Sequence, residues 1–467
     1  MVVSLARSRE TYGHAVCGLG PAGCGFLLHA FKRGALDQLV RDGLIVIDRS
    51  RRPGTGKVGD YHLTGNSLAS VFMDCIDDPD FGTFFDDLRA NDPAVRAMRA
   101  LGFDVPKLDL VGDFLAVMTT RFIDYLTSQY GVPILLDTAI ERITKPLHGD
   151  YLLQLRQQPT GATREIAAST VIAAFGGRQP VELVARSELL PGVTLDRCRE
   201  RLLMSDDFLM MSDEAIREHV RPITGADDVV VLVGGSHSAF SAVDRLTAAL
   251  EPVGLRRVTM LHRGPIRLFF ASAEDAKREG YPFNDPDDIC PISGRVNRFG
   301  GLRYRACDVA KSVLRCGKMP DREVAVDLVP LSTCDPSVHD EVRRRLDLAP
   351  AVIACLGYQA NLPPLVDADG REIELRNTMS GLEVDATGQV LTVHNEPLRS
   401  LYGYGLGSDL LKTSAAIGGE PSFSGRADGV WLYQNHGGQV ILDAVLNGGQ
   451  PAANWPQCAR AALVPGT

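Results

Sequence analysis

The feature that most constrains this chain is a glycine-rich turn near its amino end, Gly18-Leu19-Gly20-Pro21-Ala22-Gly23. The apolar stretch ending at Cys17 reads as a strand. A helix is expected from Pro21 to about Arg33, and a second strand, Leu44-Ile45-Val46-Ile47, ends at Asp48. Strand, turn, helix, strand, acid is the order of a dinucleotide-binding unit, and each part has a physical task. Gly18 permits the tight turn, Gly20 lets backbone approach a pyrophosphate, and Gly23 lets the helix lie close to the strand. The helix start at Pro21 and Ala22 offers free N–H groups and the positive end of the helix dipole to phosphate. Asp48 is placed to accept hydrogen bonds from ribose hydroxyls.

The order recurs further along. Asp228 to Val233 is an apolar, β-branched run suited to a buried parallel strand, and it enters Gly234-Gly235-Ser236-His237-Ser238-Ala239. Phe240, Val243, Leu246 and Leu250 then recur at helical spacing, and a strand over Arg257 to Leu261 ends in His262-Arg263-Gly264. Ser236 and Ser238 stand where glycines are common; their small hydroxyls can bond phosphate without blocking the backbone. A cation where the first unit has an acid favours a ribose 2′-phosphate over a 2′-hydroxyl, so Arg263, with Arg267 nearby, points to NADPH rather than NADH.

Two nucleotide units need room, and 467 residues supply two or three domains' worth of chain. A formal net charge of −9 argues against nucleic-acid binding. The sequence holds no apolar run long enough to cross a bilayer and no signal peptide, so a cytoplasmic protein without a membrane partner is expected. Ten cysteines are scattered without a C-x-x-C pair or a zinc-like cluster, so no metal is expected and a dithiol outlet is missing. Homo-oligomerisation stays open.

Several stretches resemble one superfamily. Gly18 to Gly23 is similar to the FAD-binding turn of the two-dinucleotide-binding flavoproteins, and Gly234 to Ala239 resembles the NADPH turn of flavin-containing and N-hydroxylating monooxygenases. Gly357, Tyr358 and Pro363 match the return motif of the ornithine and lysine N-hydroxylating group, although Cys355 and Leu356 depart from it. Met204-Ser205-Asp206-Asp207-Phe208-Leu209 resembles another stretch of that group with Met204 in place of histidine, and Leu401 to Asp409 resembles its second flavin-contacting segment.

The resemblance implies an α/β fold with two Rossmann-like domains, the NADPH domain inserted into a discontinuous FAD domain. It would divide the chain into 1–180 and 351–467 for FAD, 181–224 as a helical connection, and 225–350 for NADPH. It implies a monooxygenase that uses FAD, NADPH and molecular oxygen, through a C4a-hydroperoxyflavin, to oxygenate a small nucleophilic substrate, with N-hydroxylation of an amine or amino acid foremost. A flavin reductase or electron-transfer oxidoreductase and a single-component flavin halogenase share the nucleotide folds and stand as alternatives. Gly357 and Tyr358 would contact cofactor, and Asp409 the ribityl chain. The loop after Asp48 would pass the flavin ring, which makes Lys57, His62 and Asn66 the candidate catalytic groups; Arg121, on a helix expected from Phe114 to Tyr130, is a candidate for holding a carboxylate. A Gly20→Val variant is expected to purify without FAD and to take none up on reconstitution, read by flavin absorbance, because a β-branched side chain would fill the pyrophosphate's place.

Overall fold

The computed structural model describes residues 9–220, 229–332, 336–378, 381–410 and 417–449. The expected boundary at 224–225 and Asp228 of the second apolar run lie outside the described residues.

The first fold is a mixed nine-stranded sheet. Glu10–Cys17 lies at its centre, parallel to Leu44–Ile47 on one side and to Thr163–Ala173 on the other. Ile134–Leu135 continues in parallel beyond Leu44–Ile47. On the far side, Thr163–Ala173 pairs antiparallel with Tyr151–Gln157, which pairs antiparallel with Thr138–Lys145. Pro397–Gly403 returns from far along the chain to pair with Val171–Ala173. The inner strands are apolar on both faces because both faces are covered: Ala15, Cys17, Ile45 and Ile47 face one core, and Val16, Leu44 and Val46 the other.

The helix Pro21–Lys32 begins where proline has no N–H to lose and has no side-chain cap at Gly20, so its first-turn N–H groups face the turn. It packs against the carboxyl-terminal helix Gly438–Leu446 through bare backbone. A Cβ on Gly25 would stand 2.3 Å from the Tyr433 carbonyl oxygen, and one on Gly438 would stand 2.5 Å from the Gly25 carbonyl oxygen. Arg33 reaches Asp443 across the same contact at 3.0 Å.

The second fold is a five-stranded, fully parallel sheet. Its order is Leu202–Met204, Val352–Ala354, Val230–Val233, Arg257–His262, Ala325–Pro330. The helix His237–Leu250 covers it with Ala239, Phe240, Val243, Leu246 and Leu250, all buried, which is the face the helical spacing indicated.

Two stretches differ from the sequence reading. Val352–Ala354, expected to mark the return to the first fold, is an inner strand of the second sheet, parallel to both Leu202–Met204 and Val230–Val233. The segment expected to be a helical connection supplies the edge strand Leu202–Met204 and a short hairpin, Glu188–Leu190 with Val193–Thr194, besides the helices Val181–Arg186, Ser205–Met210 and Asp213–His219. Three-residue strands carry too little periodicity to be told from helix, and their partners lie far off in sequence.

No helix among the described residues is long and apolar enough to cross a membrane. A Gly25→Ala variant is expected to lower unfolding stability by about 1–3 kcal/mol, measured by urea denaturation, since only backbone faces the new methyl and neither helix can yield without moving the other.

Candidate active site

The first turn has the geometry of an anion cradle. Gly18 has φ +100°, and a Cβ there would lie 2.2 Å from the Ala174 carbonyl oxygen; a Cβ on Gly23 would lie 1.9 Å from the Gly18 carbonyl oxygen. Gly20 faces another glycine, Gly56, with 3.5 Å between its Cβ position and the Gly56 Cα. Where those two bare backbones meet, the helix start at Pro21 and Ala22 carries no side-chain cap. Asp48 is fixed at the rim: the Leu19 N–H and the Ser50 N–H, the latter at 2.6 Å, donate to its carboxylate. Burial raises the Asp48 pKa, and those two N–H donors work against the rise. Asp409 is buried, its N–H donating to the Leu382 carbonyl at 2.9 Å, and Gly405 of the same segment sits against Ala22. These residues fit a flavin dinucleotide.

The second turn opens on a cavity of about 260 Å³ lined by Gly234, Gly235, Ser236, Arg263, Arg267 and Leu356, among others. Gly234 has φ +142° and packs on Cys355, while Ser236 caps the helix without a side-chain bond. Arg263 is exposed at this rim, and its guanidinium donates to the Glu188 carbonyl at 2.5 Å. Arg267 is held by Ser422 at 2.7 Å and lies 3.7 Å from Asp288. Ala239 is fully buried in the second core, so its side chain packs and only its backbone belongs to the turn. These residues fit a phosphorylated dinucleotide.

A larger cavity, about 690 Å³, lies between the folds. Its lining includes Tyr61 to Asn66 from the loop after the first unit, His237, Ser238 and Ser241 from the helix of the second, and Tyr358. His62 and Asn66 are thus brought together, both exposed, with the His62 N–H donating to the Leu209 carbonyl at 3.0 Å. Lys57 is not among the lining residues. It pairs with the buried Asp206, which also accepts hydrogen bonds from the Tyr61 hydroxyl and, at 3.0 Å, the Tyr358 hydroxyl. Burial first, with the Asp206 carboxylate adding, raises the pKa of both tyrosines and keeps them protonated; the Tyr358 phenol adds to the rise at Tyr61, while the Tyr61 hydroxyl works against it at Tyr358. Gln179 completes the cluster: its amide oxygen accepts the Asp206 N–H at 2.9 Å and its amide nitrogen donates to the Gly357 carbonyl at 3.0 Å.

Sequence reasoning passed over Asp206, although the stretch Met204 to Leu209 drew attention to it, and it did not single out Lys107 or Arg303, which reach the cavity from remote segments. Arg121, a candidate for holding a carboxylate, instead lies over the Phe84 ring, 5.0 Å from its centroid. No group of His, Cys, Asp and Glu among the described residues could hold a metal ion, and the cysteines among them are free thiols.

The chain is 32% identical to the CMP-5′-(3-aminopropyl)phosphonate hydroxylase of Streptomyces rubellomurinus over 445 residues, covering 93% of this chain and 97% of that one. The chain belongs to the flavin-dependent monooxygenase family. No protein-family model matches it. Among solved structures, the FAD-bound cadaverine monooxygenase of Erwinia amylovora superposes with a TM-score of 0.56 at 12% identity, over 95% of this chain and 96% of that one. The ornithine hydroxylase of Pseudomonas aeruginosa gives 0.54 at 13% identity, over 94% and 100%. The fold of this flavin monooxygenase is therefore theirs.

His237, at the start of the helix that follows the second turn, is tied to a remote segment of this monooxygenase. Its Nε2 accepts the Arg303 N–H at 3.0 Å. Burial, with the Arg303 charge adding, lowers its pKa to about 4, against about 6.5 for a free histidine. As pH falls from about 6.5 towards 4, the unfolded chain takes up a proton here that the native state refuses, so stability present above that window is lost within it. Urea midpoints measured across this range should show an acid slope that is shallower by one proton in His237→Gln, which retains an acceptor. His29 and His436, lowered by burial to about 3 and about 4, should keep the remainder.

Proposed function

We propose that this chain is an FAD- and NADPH-dependent N-hydroxylase acting on a primary amine. The observation that carries this reading is the placement of the larger cavity. One wall is the loop that follows the first nucleotide unit, Tyr61 to Asn66, and the facing wall is the helix that springs from the second turn, His237 to Ser241. A hydride donor and its acceptor would meet there. In this reading Gly18, Gly20, Pro21, Ala22 and Gly23 hold the FAD pyrophosphate, Asp48 its ribose and Asp409 its ribityl chain. Gly234, Ser236, Ser238 and the Ala239 backbone hold NADPH, with Arg263 on the 2′-phosphate. Gly357 and Tyr358 brace the junction. Bound FAD, reduced by NADPH, supplies the activation of molecular oxygen. The relative named above acts on an amine, as do the two structural neighbours by their names, which supports nitrogen as the acceptor atom.

The chain's own residues must then deliver a neutral amine. A free alkylamine is protonated near neutral pH, its pKa being about 10. Of the two histidines that line the cavity, His237 already spends its Nε2 on the Arg303 N–H. Asp244 is engaged by Arg305 at 2.6 and 2.9 Å and by Arg322 at 2.7 Å. His62 retains a ring exposed to both the cavity and solvent, and is the group we assign to receive the amine's proton. Asn66 beside it would orient the nitrogen. Lys57, ion-paired with Asp206, acts as a positioning residue.

The test is product analysis. Wild-type enzyme with NADPH and oxygen should add one oxygen to nitrogen in at least one member of a panel of ornithine, lysine, cadaverine, 3-aminopropylphosphonate and its cytidylyl conjugate, read by mass spectrometry. His62→Gln should lower kcat for that product by roughly 10²–10⁴-fold, while NADPH still reduces the flavin at the wild-type rate. NADPH oxidation with transfer of electrons to an acceptor protein, and no oxygenated amine from the panel, would refute the reading.

A further inference from the structure

The larger cavity contains more positive charge than its own acids neutralise. Lys107, Arg245, Arg303 and Arg305 line it, against Asp109 and Asp244. Arg305 is matched by Asp244 and by Asp321 at 2.9 Å, and Arg245 by Asp213 at 2.8 Å. Neither Lys107 nor Arg303 forms an ion pair among the described residues; the Glu420 carboxylate, held by the Phe299 and Gly300 N–H groups, acts on Arg303 only from beyond ion-pair distance. In a chain with a net charge of −9, two unmatched cations in one cavity are not a by-product of a basic surface.

Both are held in place by backbone. Lys107 precedes the long helix Leu108–Tyr130 and bridges to Thr64, the Leu108 N–H donates to the Leu63 carbonyl at 3.0 Å, and the Gly65 N–H donates to the Pro106 carbonyl at 2.8 Å. This fixes Lys107 beside the loop of His62 and Asn66. Arg303 precedes the helix Tyr304–Cys316, spends its own N–H on His237, donates one guanidinium nitrogen to the Arg298 carbonyl at 2.5 Å and lies 4.2 Å from the centroid of the Phe269 ring. The remaining guanidinium donors have no protein acceptor among the described residues. A desolvated cation left so is costly unless a ligand supplies the anion.

We propose that Lys107 and Arg303 form a subsite for a phosphoryl or phosphonyl group carried by the amine substrate at the end away from its nitrogen. A lysine point charge and an arginine fork, arriving from different segments, suit a doubly charged oxyanion with three acceptor oxygens better than a two-oxygen carboxylate. The same phosphoryl chemistry also occurs in NADPH. The dinucleotide turn places Gly234, Ser236, Arg263 and Arg267 on the smaller cavity and Ser238 on the larger one, so the subsite is tested with NADP+ already bound.

This inference rests on the amine reading, and the experiment separates the two. Holoenzyme saturated with NADP+ is titrated calorimetrically with 3-aminopropylphosphonate, 4-aminobutanoate and n-butylamine. The phosphonate should bind roughly ten- to hundredfold more tightly than either of the others. Lys107→Met and Arg303→Met should each remove most of that preference while the Kd for NADP+ stays at the wild-type value. Lys107 is exposed at a helix start, so its variant decides the matter if Arg303→Met fails to fold. Equal binding of the three probes by wild type, or loss of NADP+ affinity in step with the phosphonate, overturns the subsite. Selective phosphonate binding with no oxygenated amine in the product assay upholds the subsite and refutes the function instead.

Discussion

The junction of the two folds depends on one buried carboxylate. Asp206 is met by Lys57 and Tyr61 from the loop after the first nucleotide unit and by Tyr358 from the segment after the second sheet's inner strand. It sits on a short helix that directly follows the edge strand Leu202–Met204. Three stretches of chain that are distant in sequence are thus held at one anionic centre. Burying that charge is costly in isolation; with an ammonium and two phenols donating to it, the cost is offset, and removal of one partner leaves the charge less well compensated. The cavity walls keep their spacing because this centre does.

The two cavities flank the start of one helix. His237–Leu250 presents its first residues to the larger space and its preceding turn to the smaller one, with a buried apolar face locking it onto the second sheet. Small movements of this helix would alter both spaces together. Its first residue is pinned by the Arg303 N–H, so the same residue that brings positive charge to the larger cavity also steadies the wall beside it.

Much of the nucleotide-binding framework was legible in the sequence because local chemistry dictates it. Leu44–Ile47 ends where the acid indicated, the helix begins at Pro21, and Phe240, Val243, Leu246 and Leu250 form the buried stripe their spacing requires. What was not legible depends on long-range pairing. Leu202–Met204 and Val352–Ala354 are too short to show a period, and only their register against each other and against Val230–Val233 reveals which sheet they join. His62 and Asn66 drew attention because they follow the acid in sequence. Lys107 and Arg303 did not, because their neighbourhood is made by loops that meet only in three dimensions. Asp206 reads as one of two adjacent surface acids until the cluster around it is seen.

The backbone contact between Gly25 and the segment of Tyr433 to Gly438 bears on the order in which the molecule is made. The first helix emerges early in synthesis, yet the surface it fits is encoded some 410 residues later, the separation of Arg33 from Asp443 across the same contact. The Pro397–Gly403 strand likewise arrives late to a sheet whose centre was translated first. The nascent amino-terminal half must therefore wait with an unfilled face, a long-range closure of the kind that slows folding and exposes apolar surface to aggregation. Split or truncated forms of this chain would inherit that open face permanently, and expression at low temperature or with chaperones would favour the intact one.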